Sequence, residues 1–144
     1  METELLLPEL SDPDSSGFWE GCAKSELRVQ RCEGCGEMRV PPRPMCPSCR
    51  SLKSEWVPVS GRAKIWSVVV PHPPLLPAYA ELAPYAVITV ELDEDPKLRM
   101  IGNLVTSPDG AINEIDPATI EIGEPVRVVF ARVEDVTLPR WTRA

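Results

Sequence analysis

Apolar and polar residues alternate over four stretches in the C-terminal two thirds of the chain. Each alternation has the two-residue period of a strand with one buried face. In residues 63–70, Ile65, Ser67 and Val69 fall on one side and Trp66, Val68 and Val70 on the other. Residues 85–92 put Ala86, Ile88, Val90 and Leu92 together, and residues 99–105 form a third stretch. In residues 126–135, Val126, Val128 and Phe130 alternate with Arg127, Val129 and Ala131. Residues 57–60 could begin the first strand, with Gly61 as a bulge or bend. Turn residues punctuate the gaps: Asp93-Glu94-Asp95-Pro96, Ser107-Pro108-Asp109-Gly110 and Gly123-Glu124-Pro125. Residues 71–84 make a long loop carrying Leu75, Leu76, Tyr79 and Leu82. Loops of that length are usually functional or disordered, and these apolar side chains argue against disorder.

Upstream the period changes. Residues 14–27 suit a helix, with Asp14, Ser15 or Ser16 as its cap and Phe18 and Cys22 on one face. Gly17 and Gly21 weaken it by about 1 kcal/mol each, so it needs something to pack against. Residues 27–31 read as a short strand. The 17 prolines among 144 residues sharpen this picture. Proline breaks helix interiors, and the only long proline-free run is 14–40, so a helical bundle is excluded.

Charge is uneven within a net −7. Residues 21–64 hold nine basic and four acidic side chains, +5, which leaves −12 for the rest. A basic segment in an acidic chain hints at an anionic partner or ligand. No apolar run reaches the roughly 18 residues of a membrane span, and the acidic N-terminus lacks the basic region of a signal peptide. The expected location is therefore the cytoplasm, where thiols stay reduced.

Five cysteines then need a purpose other than disulfides. Cys32-Glu-Gly-Cys35 and Cys46-Pro-Ser-Cys49 form two C-x-x-C turns ten residues apart. Two such turns can complete a tetrahedron of thiolates around one metal, zinc being favoured over iron. Four thiolates fill the coordination sphere, so the metal is structural. Gly36 follows the first pair, where the backbone turning past a metal needs a positive φ. Arg31, Arg39, Arg43 and Arg50 surround the module and could simply offset its negative charge. Cys22 reads as a small buried helix residue.

The predicted architecture is mainly β. Residues 1–13 form a mobile tail, 14–28 the N-terminal helix, 29–56 a zinc ribbon, 57–135 a small OB-fold barrel and 136–144 a C-terminal tail. His72 is the only histidine, so any His-dependent triad would need it. It reads equally as a loop residue lining a ligand passage. No phosphate-cradling glycine motif is present. Independent catalysis thus has little support. Two classes remain: a nucleic-acid binder, which the acidic barrel segment disfavours, and a binding subunit that serves an enzyme.

The order of parts resembles a known family. Phe18-Trp19-Glu20 precedes residues 27–36, then come Pro41-Pro42-Arg43-Pro44, Cys46-Pro47-Ser48-Cys49, residues 56–61 and the His72-Pro73-Pro74 loop leading to Pro84-Tyr85. Together they are similar to the acyl-CoA-associated family once named only as a domain of unknown function, in which a rubredoxin-like zinc ribbon joins an OB-fold. The resemblance implies a non-catalytic accessory subunit that pairs with a thiolase-fold or lipid-transfer-protein-like aldolase. The implied reaction is retro-aldol cleavage of a steroid side-chain β-hydroxyacyl-CoA. The alternative is an acyl-CoA-binding subunit of another thiolase or of an enoyl-CoA hydratase complex. Some members are fused behind a hydratase domain, and the acidic N-terminal segment would then be a linker from an excised piece. Residues 136–144 also look like the end of the actinobacterial steroid-degrading members. Under this resemblance Arg39, Arg43, Arg62, Lys64 and His72 are candidates to meet acyl-CoA. Phe18, Trp19, Leu75, Leu76, Tyr79, Leu138 and Trp141 are candidate partner contacts.

Overall fold

The alternating segments pair into two antiparallel sheets. A computed structural model describes residues 5–144, so residues 1–4 of the expected tail lie outside the described residues. Helix α1 runs Ser16–Ala23, shorter than expected from the sequence. Ser25 explains the early stop. It takes φ 57°, its N–H donates to the Cys22 carbonyl at 2.9 Å, and the Glu26 N–H reaches the Gly21 carbonyl at 2.8 Å. That pair of bonds is a Schellman ending, with serine where glycine usually sits.

The ribbon sheet has the order β2-β1-β3, built from β1 (Arg28–Cys32), β2 (Met38–Arg39) and β3 (Ser54–Pro58). Residues 57–58 pair with Val29 and Arg28 of β1 in this three-stranded sheet. The break is Gly61, whose φ of +79° ordinary side chains avoid and whose Cβ position lies 2.6 Å from Val128 Cγ1.

The second sheet has the order β6-β5-β4-β7-β8. Its strands are β4 (Arg62–Val69), β5 (Val87–Leu92), β6 (Arg99–Gly102), β7 (Pro125–Val133) and β8 (Val136–Arg143). The four strands expected from alternation are present, and β8 stands where a C-terminal tail was expected. Two features hid it: the turn at Glu134-Asp135 lacks the usual hairpin glycine, and Pro139 interrupts the strand. Glu134 supplies the left-handed residue itself, at φ 57°. Pro139 is tolerated because β8 ends the sheet. Beyond β6 the chain curls back along β8. The Trp141 N–H donates to the Asn103 carbonyl at 3.0 Å and the Val105 N–H to the Trp141 carbonyl at 2.8 Å. These bonds bring the two ends of the sheet together in an OB-like half-barrel. The long 71–84 loop contains one short helix, α2 (Pro77–Ala80), and a 3-10 turn, Pro117–Thr119, precedes β7.

The barrel interior is filled by Ile65, Ile88, Val90, Leu98, Leu104, Val126 and Trp141. Leu27 and Val29 of the ribbon side join the same core cluster. Helix α1 closes over the junction, where Gly17 lets Trp56 approach: a Cβ there would lie 2.1 Å from the indole nitrogen.

Two substitutions test this packing. Trp141→Ala should cost about 3–5 kcal/mol in urea unfolding, as expected for emptying an aromatic site in a core. Gly17→Ala should cost about 1–3 kcal/mol by overpacking the helix against Trp56, with the loss visible as a changed tryptophan emission.

Candidate metal centre and contact surfaces

Each C-x-x-C turn is a backbone device for pointing two sulfurs one way. In the first, the Gly34 N–H donates to Cys32 Sγ at 3.3 Å and the Gly36 N–H to the Cys32 carbonyl at 2.9 Å. In the second, the Arg50 N–H donates to the Cys46 carbonyl at 3.0 Å. The residue after each pair is left-handed: Gly36 at φ 78° and Arg50 at φ 63°. Positive φ at Gly36 matches the expectation; the second turn achieves it without glycine.

The four sulfurs all lie within 4.8 Å of one another. Cys32 and Cys49 are 3.5 Å apart and Cys35 and Cys46 are 3.7 Å apart. A tetrahedral zinc with Zn–S of about 2.3 Å needs sulfur–sulfur edges of about 3.8 Å, so the donor set fits such an ion. The thiols also behave as a group short of a cation. Cys32 is drawn down to about 6, first by the Cys35 backbone N–H and then by neighbouring thiols and the Gly34 N–H. The Glu37 N–H pulls Cys35 down too, but burial and the neighbouring sulfurs outweigh it and push it to about 12. Four thiolates so close cannot all ionise alone; a dication removes that conflict. Full sulfur ligation leaves no open position, so the metal is structural. Cys22 stands apart, fully buried, its thiol pushed by desolvation to about 12.

The other candidates are dispersed. Arg39 turns inward at 7% exposure. Its Nη2 donates to the Arg43 carbonyl at 2.8 Å, while the Arg43 N–H donates to Gln30 Oε1 at 2.8 Å. It braces the proline-rich connection from a buried position, with Nε and Nη1 left without a hydrogen-bond partner. Arg43 and His72 are exposed in separate segments. Arg62 and Lys64 line one shallow hollow on the barrel.

Among the partner candidates, Trp19, Tyr79 and Leu138 line one groove of about 580 Å³, together with Leu5, Leu6 and Ile101. Phe18 and Trp19 border an adjoining apolar cleft of about 400 Å³ with Trp56, Pro41 and Pro42. Trp141 is 1% exposed and forms part of that cleft from within the core, so it is no surface anchor. Its place in β8 made the difference. Leu75 is half-buried and Leu76 is 56% exposed, both outside the groove and the cleft. Sequence reasoning passed over Ile101, which joins the groove to the cleft. Its outward position in β6 was the available signal.

Elemental analysis should return about one zinc per chain. Cys46→Ser should lose the metal and unfold the ribbon. Thiolate ligation requires deprotonated sulfur, so the metal should be released as pH falls and not as it rises. A chromogenic chelator assay across a pH series checks the sign.

Comparison with known proteins places these features. Residues 19–55 match the family model described as "ChsH2, rubredoxin-like zinc ribbon domain", and residues 56–131 match "ChsH2, C-terminal OB-fold domain". The chain is 34% identical over 141 residues to the 3-oxo-4,17-pregnadiene-20-carboxyl-CoA hydratase alpha subunit of Mycobacterium tuberculosis, covering 98% of this chain and 41% of that one. It thus spans about two fifths of that relative's length. It is 38% identical over 110 residues to a DUF35 domain-containing scaffold protein of Methanothermobacter thermautotrophicus, covering 76% and 74% of the two chains. Among solved structures, the "Ltp2-ChsH2(DUF35) aldolase" superposes with TM-score 0.78 at 33% identity, covering 94% of this chain and 98% of that one. No helix among the described residues is long and apolar enough to cross a membrane. The chain belongs to the DUF35 family, joining a ChsH2-type rubredoxin-like zinc ribbon to an OB-fold.

Proposed function

We propose that this chain is a non-catalytic accessory subunit that binds and supports a thiolase-fold, CoA-dependent aldolase. The reaction is retro-aldol cleavage of a steroid side-chain β-hydroxyacyl-CoA. One observation carries the reading: almost the whole chain superposes on the protein solved as an "Ltp2-ChsH2(DUF35) aldolase" at 33% identity. The chemistry of the residues supports it. In a retro-aldol step a base removes the β-hydroxyl proton while the bond between the α and β carbons breaks. Donors then hold the thioester enolate until it is protonated. Here the cysteines are consumed by a closed metal site, Cys22 is buried, and His72 is exposed in a loop. The acid–base groups belong to the partner.

This chain's part is to bind. Trp19, Tyr79, Leu138 and Ile101 present apolar and aromatic surface along one groove, the composition that anchors protein interfaces. Zinc at Cys32, Cys35, Cys46 and Cys49 ties the two turns of the ribbon to one point. Arg43 and His72 remain open to acyl-CoA. A second reading, a CoA-binding part of a hydratase complex, is favoured by the 34% identity to the hydratase alpha subunit.

Co-expression with a thiolase-fold, CoA-dependent aldolase tests both. The two should co-purify, and cleavage of a β-hydroxyacyl-CoA should need the pair. Trp19→Ala with Leu138→Ala should weaken retention by about tenfold or more, the loss of one interface anchor. Cleavage by this chain alone would overturn the assignment of chemistry, and hydration in place of cleavage would select the second reading.

A further inference from the structure

The outer face of the barrel sheet carries Arg62, Lys64 and Arg127, none of which forms an ion pair among the described residues. Arg62 of β4 lies directly opposite Arg127 of β7. Like charges in that relation are destabilising unless something anionic meets them. Lys64 is on the same face, directly opposite Glu91, but Glu91 pairs with Arg99 at 3.5 Å. Arg62, Lys64 and Arg127 line one hollow with Asp93 and Ala144. Among the described residues the ion pairs involve other arginines, Arg28, Arg31, Arg99 and Arg143.

Beside these cations stands Trp66. Trp66 follows Arg62 and Lys64 on the outward face of β4 by two-residue alternation, and the register against β5 shifts between Ile65 and Ser67. Trp66 is 47% exposed, with the Arg99 guanidinium 3.9 Å above its ring. Ile101, 76% exposed, continues the face along β6. Arg99 and Ile101 also border the apolar cleft, so the two surfaces meet along one strand.

We propose that this face, from Ile101 through Trp66 to Lys64, Arg62 and Arg127, is a docking surface for an acidic protein face. Partner carboxylates occupy the space between Arg62, Arg127 and Lys64, and an apolar partner side chain lies on Trp66. Tryptophan and arginine are the residues that most often dominate such contacts. A phosphate backbone fits less well. One exposed tryptophan is not the series of aromatics that single strands stack on. The proposal deepens the accessory-subunit reading by giving the partner's face a charge, yet its test does not depend on the aldolase.

The test uses the full zinc-loaded chain, isotope-labelled, and an acidic peptide of about ten glutamates around two central leucines. The peptide should shift the Trp66 indole N–H and the Arg62 and Arg127 side-chain signals. Arg62→Glu with Arg127→Glu should weaken binding about tenfold, whereas Lys53→Glu in the ribbon should change it less than twofold. Lys64→Glu and Trp66→Ala, each a single surface change, supply the same readout should the double variant not fold. Shifts centred on Arg43, Arg50 and Lys53, or no shifts at all, would overturn the proposal. Tighter binding of free CoA or of an oligothymidylate to this face would overturn it in favour of a phosphate ligand. With the aldolase in hand, loss of co-purification in Trp19→Ala alone would report on the groove, and loss in Arg62→Glu with Arg127→Glu on this face.

Discussion

Repulsion among four sulfurs governs the N-terminal half of the molecule. Packed within 4.8 Å, they can all be thiolates only around a cation, and that requirement ties two distant turns to one point. The ribbon has little apolar interior of its own. Its three short strands rely on the metal at one end and on the barrel core at the other, which Leu27 and Val29 enter. Small domains that cannot bury enough surface are stabilised in this way by a structural ion. β1 and β3 also carry Val29 and Trp56, which border the apolar cleft together with Pro41 and Pro42.

Closure of the barrel shapes the rest. Gly61 ends the ribbon sheet and allows Val128 to sit where a side chain would otherwise be. β8 then returns along the end of the sheet, and its hydrogen bonds to residues 103 and 105 bring Trp141 into the centre. The same closure carries Leu138 and Pro139 beside Trp19 and Ile101. One strand therefore completes the core with its inward residue and the contact groove with its neighbours. Alternation along β4 works in the opposite direction, turning Trp66 outward with Arg62 and Lys64.

Charge follows the same division of labour. The fold treats members of the basic excess of residues 21–64 differently. Arg39 is buried as a brace for the 40–44 connection. Arg31 pairs with Glu55 across the ribbon at 2.6 Å, an exposed pair of small energetic value. Arg62 and Lys64 join Arg127, far along the chain, in a hollow on the barrel. A linear count of charge detects an asymmetry, but only the register of β4 against β7 turns it into a local basic face.

What the sequence alone determined was whatever rests on short-range geometry. The C-x-x-C spacing named all four ligands, because two residues between sulfurs leave the backbone few ways to turn. Gly36 announced its positive φ, and two-residue alternation marked four barrel strands within two residues of their observed starts. β8 was missed because its turn carries Glu134 in place of glycine and Pro139 lies within it, so local signals argued against a strand that long-range pairing imposes. The burial of Trp141 and Arg39 was hidden for a related reason: it depends on what closes over a residue, and no neighbour in sequence reveals that. The basic hollow, the Trp66–Arg99 stack and the groove across α1, β6 and β8 were decided by tertiary structure alone. Each joins side chains whose positions in sequence are far apart, and only strand register and barrel closure bring them to one surface.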